Sequence, residues 1–100
     1  MVERTTPELE LPGGELVAKG IEDLRAGRET EASLLVAIAA DRLRAAGLDV
    51  PRSVPRRPSH RLYALLARTA GDDAHGRYNA LLTRLSSFAR ALEGRGRSSP

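Results

Sequence analysis

The chain has no cysteine and no tryptophan, and its aromatic residues are two tyrosines and one phenylalanine. Without cysteine there is no disulfide, no thiolate metal site and no thiol nucleophile. With Tyr63, Tyr78 and Phe88 as the only aromatics, the core must be built from fifteen leucines, fifteen alanines and a few β-branched residues. Each alanine removes little area from water compared with the roughly 1.5 to 3 kcal/mol of a fully buried Leu or Phe. A chain of 100 residues buries only roughly 60 to 65% of the surface its unfolded form exposes. A thin stability margin is therefore expected, and with it a homodimer or a complex with a protein partner.

Long apolar runs are absent as well. The longest, Leu34 to Ala40, has seven residues, against about 20 for a bilayer span. The opening MVERTTPELELPGG lacks the basic-then-apolar order of a signal peptide. No membrane association is expected, and a cytoplasmic location follows as the default. Lysine is nearly absent too, one against fifteen arginines.

What is present is helical periodicity. Leu16, Val17, Gly20, Ile21 and Leu24 recur at helical spacing and predict a first helix over 14–26, with Gly27 at its C-terminal cap. Its Glu15, Glu22 and Asp23 read as charges near the first turns, where the helix dipole favours them. A second helix is predicted over 30–46, capped by Thr30 and ended by Gly47, with Leu48 as the following apolar contact. Its apolar residues cover an arc of about 240°, interrupted by Arg42, so it should touch several neighbours and form the centre of the fold.

Residues 49–59, DVPRSVPRRPS, carry three prolines and read as a connector. Ser59 is the expected cap of a third helix over 60–70, whose buried face is Leu62, Tyr63, Leu65, Leu66, Ala67 and Ala70, with Gly71 as its end. A fourth helix over 73–93, capped by Asp72 or Asp73 and stopped by Gly94, carries the stripe Ala74, Tyr78, Leu81, Leu82, Leu85, Phe88, Ala89 and Leu92. The expected fold is all-α: a compact four-helix bundle, or two α-hairpins joined by the proline-rich connector. Residues 1–13 form a lead, in which Thr6 is placed to cap a turn begun by Pro7. The helical domain spans 14–94, and 95–100 a disordered basic tail.

Charge is sorted along this plan. Residues 1–50 carry ten acidic and six basic side chains; residues 51–100 carry three acidic side chains and ten arginines, and the formal total is +3. The second half is thus the side that would attract an acidic partner, unless the first half neutralises it. Arg61 and Arg68 lie seven apart on the third helix, Arg77 and Arg84 seven apart on the fourth, and each pair shares one side of its helix. With Arg56 and Arg57 of the connector these are the candidate contact residues for an acidic protein or a nucleic acid, and Arg52 and Arg90 lie close to them in sequence. The turn between the last two helices has no standard helix-turn-helix pattern, since Asp72 and Arg77 fall where that motif needs buried residues. The three aromatics sit on apolar faces, where they serve the core rather than base stacking.

Catalytic and metal motifs are sparse. The histidines, His60 and His75, are fifteen residues apart, Gly13-Gly14 lacks a phosphate-loop context, and no serine stands in a nucleophile pattern. Neither a metal nor a cofactor is expected. The densest polar group is RTAGDDAHGRYN, residues 68–79, where Arg68 precedes His75 by seven positions. This spacing resembles the Arg-x(4–6)-His signature of the HEPN family, helical bundles that include metal-independent ribonucleases. The resemblance implies that Arg68 steadies a phosphate and His75 takes part in acid–base cleavage, although Thr69 stands where the family commonly has Asn, Asp or His. Capping explains the same residues without a substrate: His75 and Asn79, four apart, share a helical face and can bond each other. The expectation is a non-enzymatic interaction module, with an HEPN-like metal-independent ribonuclease or toxin-associated helical protein as the alternative that the resemblance implies.

Overall fold

Thr30 and the glycines behind the first two apolar runs do most to set the first hairpin. The computed structural model describes residues 11–97 and, for residues 95–97, the backbone alone; the expected Thr6–Pro7 turn and residues 98–100 of the tail lie outside the described residues. The first helix, α1, is Gly14–Arg25. Gly27 takes a left-handed φ of 76°, and the N–H groups of Gly27 and Arg28 return to the carbonyls of Leu24 and Asp23 at 3.1 and 2.8 Å. These two bonds are a Schellman closure, which needs a residue free to adopt positive φ. Thr30 then caps α2, Glu31–Ile38: its hydroxyl accepts from the Ser33 N–H, and the Ser33 hydroxyl accepts from the Thr30 N–H. Serine here does what Glu or Gln does in the usual reciprocal box.

The helix expected over 30–46 is not continuous. It breaks at Ala39, whose φ and ψ of −108° and 21° leave the helical region, and resumes as α3, Ala40–Ala45. A straight helix would place Arg42 seven residues beyond the fully buried Leu35, on the same line, and would draw a guanidinium toward the core. With the break, Leu43 is buried while Arg42 is exposed and donates to Glu93 on the last helix at 2.7 and 3.0 Å. Gly47 ends α3 with a second Schellman closure, Gly47 N–H to Arg44 and Leu48 N–H to Leu43, both at 3.0 Å.

The connector is lashed to the first half at its start. Arg44 donates to the carbonyls of Val50 and Pro51, and Arg25 donates to the Asp49 carbonyl and carboxylate. Next comes α4, Pro58–Ala70, which begins two residues before the expected start. Proline suits the first helical position because it lacks the N–H that would go unpaired there and its φ is already helical. Ser59 is therefore inside the helix, not its cap. The capping position falls to Arg57, in left-handed conformation at φ 52° and ψ 53°, with no side-chain bond to the helix start.

Gly71 closes α4 and leads into a single 3₁₀ turn, Gly71–Asp73, followed by α5, Ala74–Arg97. An N-cap residue needs extended backbone, which Asp72 and Asp73 lack inside that turn, and neither side chain caps α5. Gly94 does not stop α5, since it does not adopt the left-handed φ of a C-terminal cap glycine. Residues 95–97, expected in a disordered tail, continue the helix.

The architecture is all-α. α2 packs against α1, α4 and α5, which makes it the central element, and α4 pairs with α5. Leu34, Leu35, Leu43, Leu62, Leu66 and Phe88 form the fully buried centre. Ala67, placed on the buried face of its helix by periodicity, is exposed, as is Tyr63 at 39%. Among the described residues no helix is long and apolar enough to cross a membrane.

Candidate anion-binding surface

Folding divides the arginines of the second half into two groups. Arg61 donates to Glu29 and Arg77 to Glu31, each at 3.0 Å, so two of the six candidate contacts face the acidic first half. Glu29 and Glu31 flank Thr30 at the start of α2, where negative charge also suits the helix dipole. The sevenfold spacing thus has two outcomes: all four arginines are exposed, but the first of each pair is engaged by a carboxylate while Arg68 and Arg84, the second of each, are not. Among the described residues no carboxylate lies within ion-pair distance of Arg56, Arg57, Arg68 or Arg84, nor of Arg52 or Arg90.

Two of these unpaired arginines, Arg56 and Arg57, stand together with His60 and the Glu29-paired Arg61. Arg56, Arg57, His60 and Arg61 line one open hollow of about 700 Å³ at the start of α4. The Nε of Arg61 donates to the Arg56 carbonyl at 2.9 Å, which ties the two residues across the connector. Arg57 makes no capping bond, so its side chain satisfies none of the first-turn N–H groups of α4. A helix N-terminus with unspent donors carries a partial positive charge, which adds to that of the guanidinium groups around it.

Arg68 and His75 are disposed differently. Both are exposed, and no hydrogen bond or ring contact joins them. The His75 ring meets Asn79 at 3.2 Å and lies 6.4 Å from the Tyr63 ring. Tyr63 in turn packs edge-on to Tyr78, centroids 5.2 Å apart. The imidazole thus belongs to a small aromatic seam between α4 and α5, and its partner at i+4 is the one expected from helical spacing. Among the described residues no three of His, Cys, Asp and Glu gather into a set that could hold a metal ion.

Sequence reasoning misses the acidic side of these pairings. It assigns no partner to Glu29 or Glu31, and it groups Asp23 with the first-turn charges although that residue stands in the last turn of α1, fully buried. A usable signal exists: Asp23 precedes the Thr30 cap by seven residues across a glycine turn, where its side chain can reach the capping hydroxyl. Comparison with protein-family models, with curated proteins and with solved structures finds no match to this chain.

Proposed function

We propose that this protein is a non-enzymatic helical interaction module that binds an acidic partner at the start of α4. The observation that carries this reading is the convergence of Arg56, Arg57, His60 and Arg61 on one hollow at an uncapped helix N-terminus. The rest of the surface favours an acidic protein over a nucleic acid. On α5 the exposed Arg77 is already engaged by Glu31, and the exposed Arg84 and Arg90, six residues apart, point to different sides of the helix among uncharged Asn79, Ala80, Thr83 and Ser87, so they form no single stripe along which a phosphate backbone could run. Tyr63, the one exposed aromatic among the described residues, presents its ring to Tyr78 and not to a base.

The strained Arg57 supplies a diagnostic substitution. A left-handed conformation costs a side-chain-bearing residue about 1 to 2 kcal/mol, and the position before a proline is restricted further. Arg57→Gly removes that strain together with the guanidinium. The expected result is an unchanged or raised melting midpoint with binding weakened about tenfold, measured by fluorescence anisotropy of a labelled glutamate-rich peptide. Wild-type binding should also fall at least about tenfold between about 50 and 200 mM salt and exceed that of a labelled RNA of equal charge. Salt-independent binding, or an Arg57→Gly protein that binds as wild type, would overturn the reading; tighter binding to the RNA would reassign the partner class.

A further inference from the structure

The hollow at the start of α4 shares a wall with a second opening. Arg61 also lines a cleft of about 810 Å³ between the last turn of α1 and the connector. Leu24, Pro51, Val54 and Pro55 give this cleft an apolar lining, while Arg25, Arg28 and Glu29 supply its charges. Its volume falls in the range of small-ligand sites. The connector wall is neither helix nor strand, and the N–H groups of Ser53, Val54 and Arg56 meet no backbone acceptor among the described residues. Because Arg61 lines both openings, a single run leads from the partly apolar cleft, past Arg61, to the basic hollow, and the connector along it keeps main-chain donors without a backbone acceptor among the described residues.

This combination has a matching ligand chemistry. A polypeptide in extended form brings carbonyl acceptors for the free N–H groups, aliphatic side chains for the apolar lining and carboxylates for the arginines. A polynucleotide brings no aliphatic side chain. One such carboxylate is already present, since Glu29 accepts from Arg61 at 3.0 Å. Glu29 and Arg61 are both about half exposed, 46% and 47%, so the pair is worth little to stability and exchanges readily with an external acid.

We infer that this run seats an extended acidic segment of a partner protein, with a carboxylate in the Arg56–Arg57–His60 hollow and an apolar side chain against Val54 and Pro55. Glu29 is the intramolecular occupant of Arg61 that the partner displaces. The inference rests on the proposed function above and deepens it by naming the partner's chemistry and a built-in competitor.

The test uses the full chain and two synthetic probes of about a dozen residues, one glutamate-rich with embedded leucines and one with those leucines replaced by serine. Glu29→Gln removes the competitor. Asp72→Asn makes the same change in net charge at the opposite end of α4, where the Asp72 carboxylate pairs with no cation among the described residues. Glu29→Gln is expected to tighten binding of the leucine probe about threefold or more beyond the effect of Asp72→Asn, and wild type to prefer the leucine probe about threefold over its serine counterpart. Equal effects of the two substitutions, or no preference for leucine, would overturn the inference. Were either seen while Arg56→Gln with Arg57→Gln still abolished binding, the proposed function would stand without it. Wild-type affinity in that double variant would remove both.

Discussion

Gly20→Ala is expected to lower the melting midpoint by roughly 15 °C, a large loss for the addition of a single methyl group. The position looks harmless in sequence, since alanine is the better helix former by about 1 kcal/mol and Gly20 sits in mid-helix. In the fold it is where α1 lies against α2. A β-carbon placed on Gly20 falls 2.3 Å from the Ala32 carbonyl oxygen and 2.4 Å from Cγ2 of Val36. The valine can turn; the carbonyl oxygen belongs to the α2 backbone and cannot. α1 must back away by about 1 Å, which loosens Val17 and Ile21 against the buried α2 residues. Overpacking of this kind costs about 3 kcal/mol, a large share of the roughly 5 to 15 kcal/mol that holds a domain of this size.

A paired substitution separates this contact from helix propensity. Gly76, in α5, faces open space: a β-carbon there would meet no heavy atom within 4 Å, and the residue has no left-handed φ. Gly76→Ala should therefore raise the midpoint by a few degrees through propensity alone. Thermal melts followed by circular dichroism should show opposite signs for the two glycines. A Gly20→Ala protein as stable as wild type would mean that α1 and α2 do not meet at this spacing.

How much of this is readable from sequence differs by element. The Gly27 and Gly47 closures and the Thr30 cap are legible because each depends on a few neighbouring residues with narrow conformational roles. The central position of the second helix is legible too, because an arc of about 240° of apolar residues has to touch several partners. The break at Ala39 is not: no proline or glycine marks it, and the conflict that a straight helix would set up between Arg42 and the core line of Leu35 exists only once neighbours surround α2. The start of α4 is ambiguous because Pro58 as a first helical residue and Ser59 as a cap are both eligible, and only the fold decides for the proline. For the candidate site the residue types are legible and their division is not. Nothing local to Arg61 or Arg77 distinguishes them from Arg68 or Arg84; what differs is that Glu29 and Glu31 arrive from more than thirty residues away.

Asp23→Ala should also be among the costliest substitutions, lowering the midpoint by roughly 10 °C although the residue belongs to no apolar cluster. Its carboxylate is fully buried and is held by three donors. The Thr30 hydroxyl donates to Oδ2 at 2.7 Å, the Arg28 guanidinium to Oδ1 at 2.8 and 3.0 Å, and the Lys19 ammonium to Oδ2 at 3.2 Å. Together with the Asp23 carbonyl, which accepts from the Arg28 N–H, these bonds fasten the end of α1 to the cap of α2. Removing the carboxylate leaves the Thr30 hydroxyl half-buried without its acceptor and frees Arg28 and Lys19 from their shared partner. The same donors lower the acid's pKa from 3.8 to about 2, the Thr30 hydrogen bond contributing most, then Arg28, with burial opposing them. A depressed folded-state pKa means that the unfolded chain binds the proton first as pH falls. The stabilisation from Asp23 is thus complete above about pH 4 and is lost progressively between about pH 4 and pH 2. Wild type should lose stability across that window, and Asp23→Asn should show a flatter acid limb from a lower starting point. Parallel acid limbs in the two proteins, measured by urea unfolding at stepped pH, would mean that another carboxylate governs acid sensitivity. A steeper wild-type limb would assign it to the Asp23 junction that joins α1 to α2.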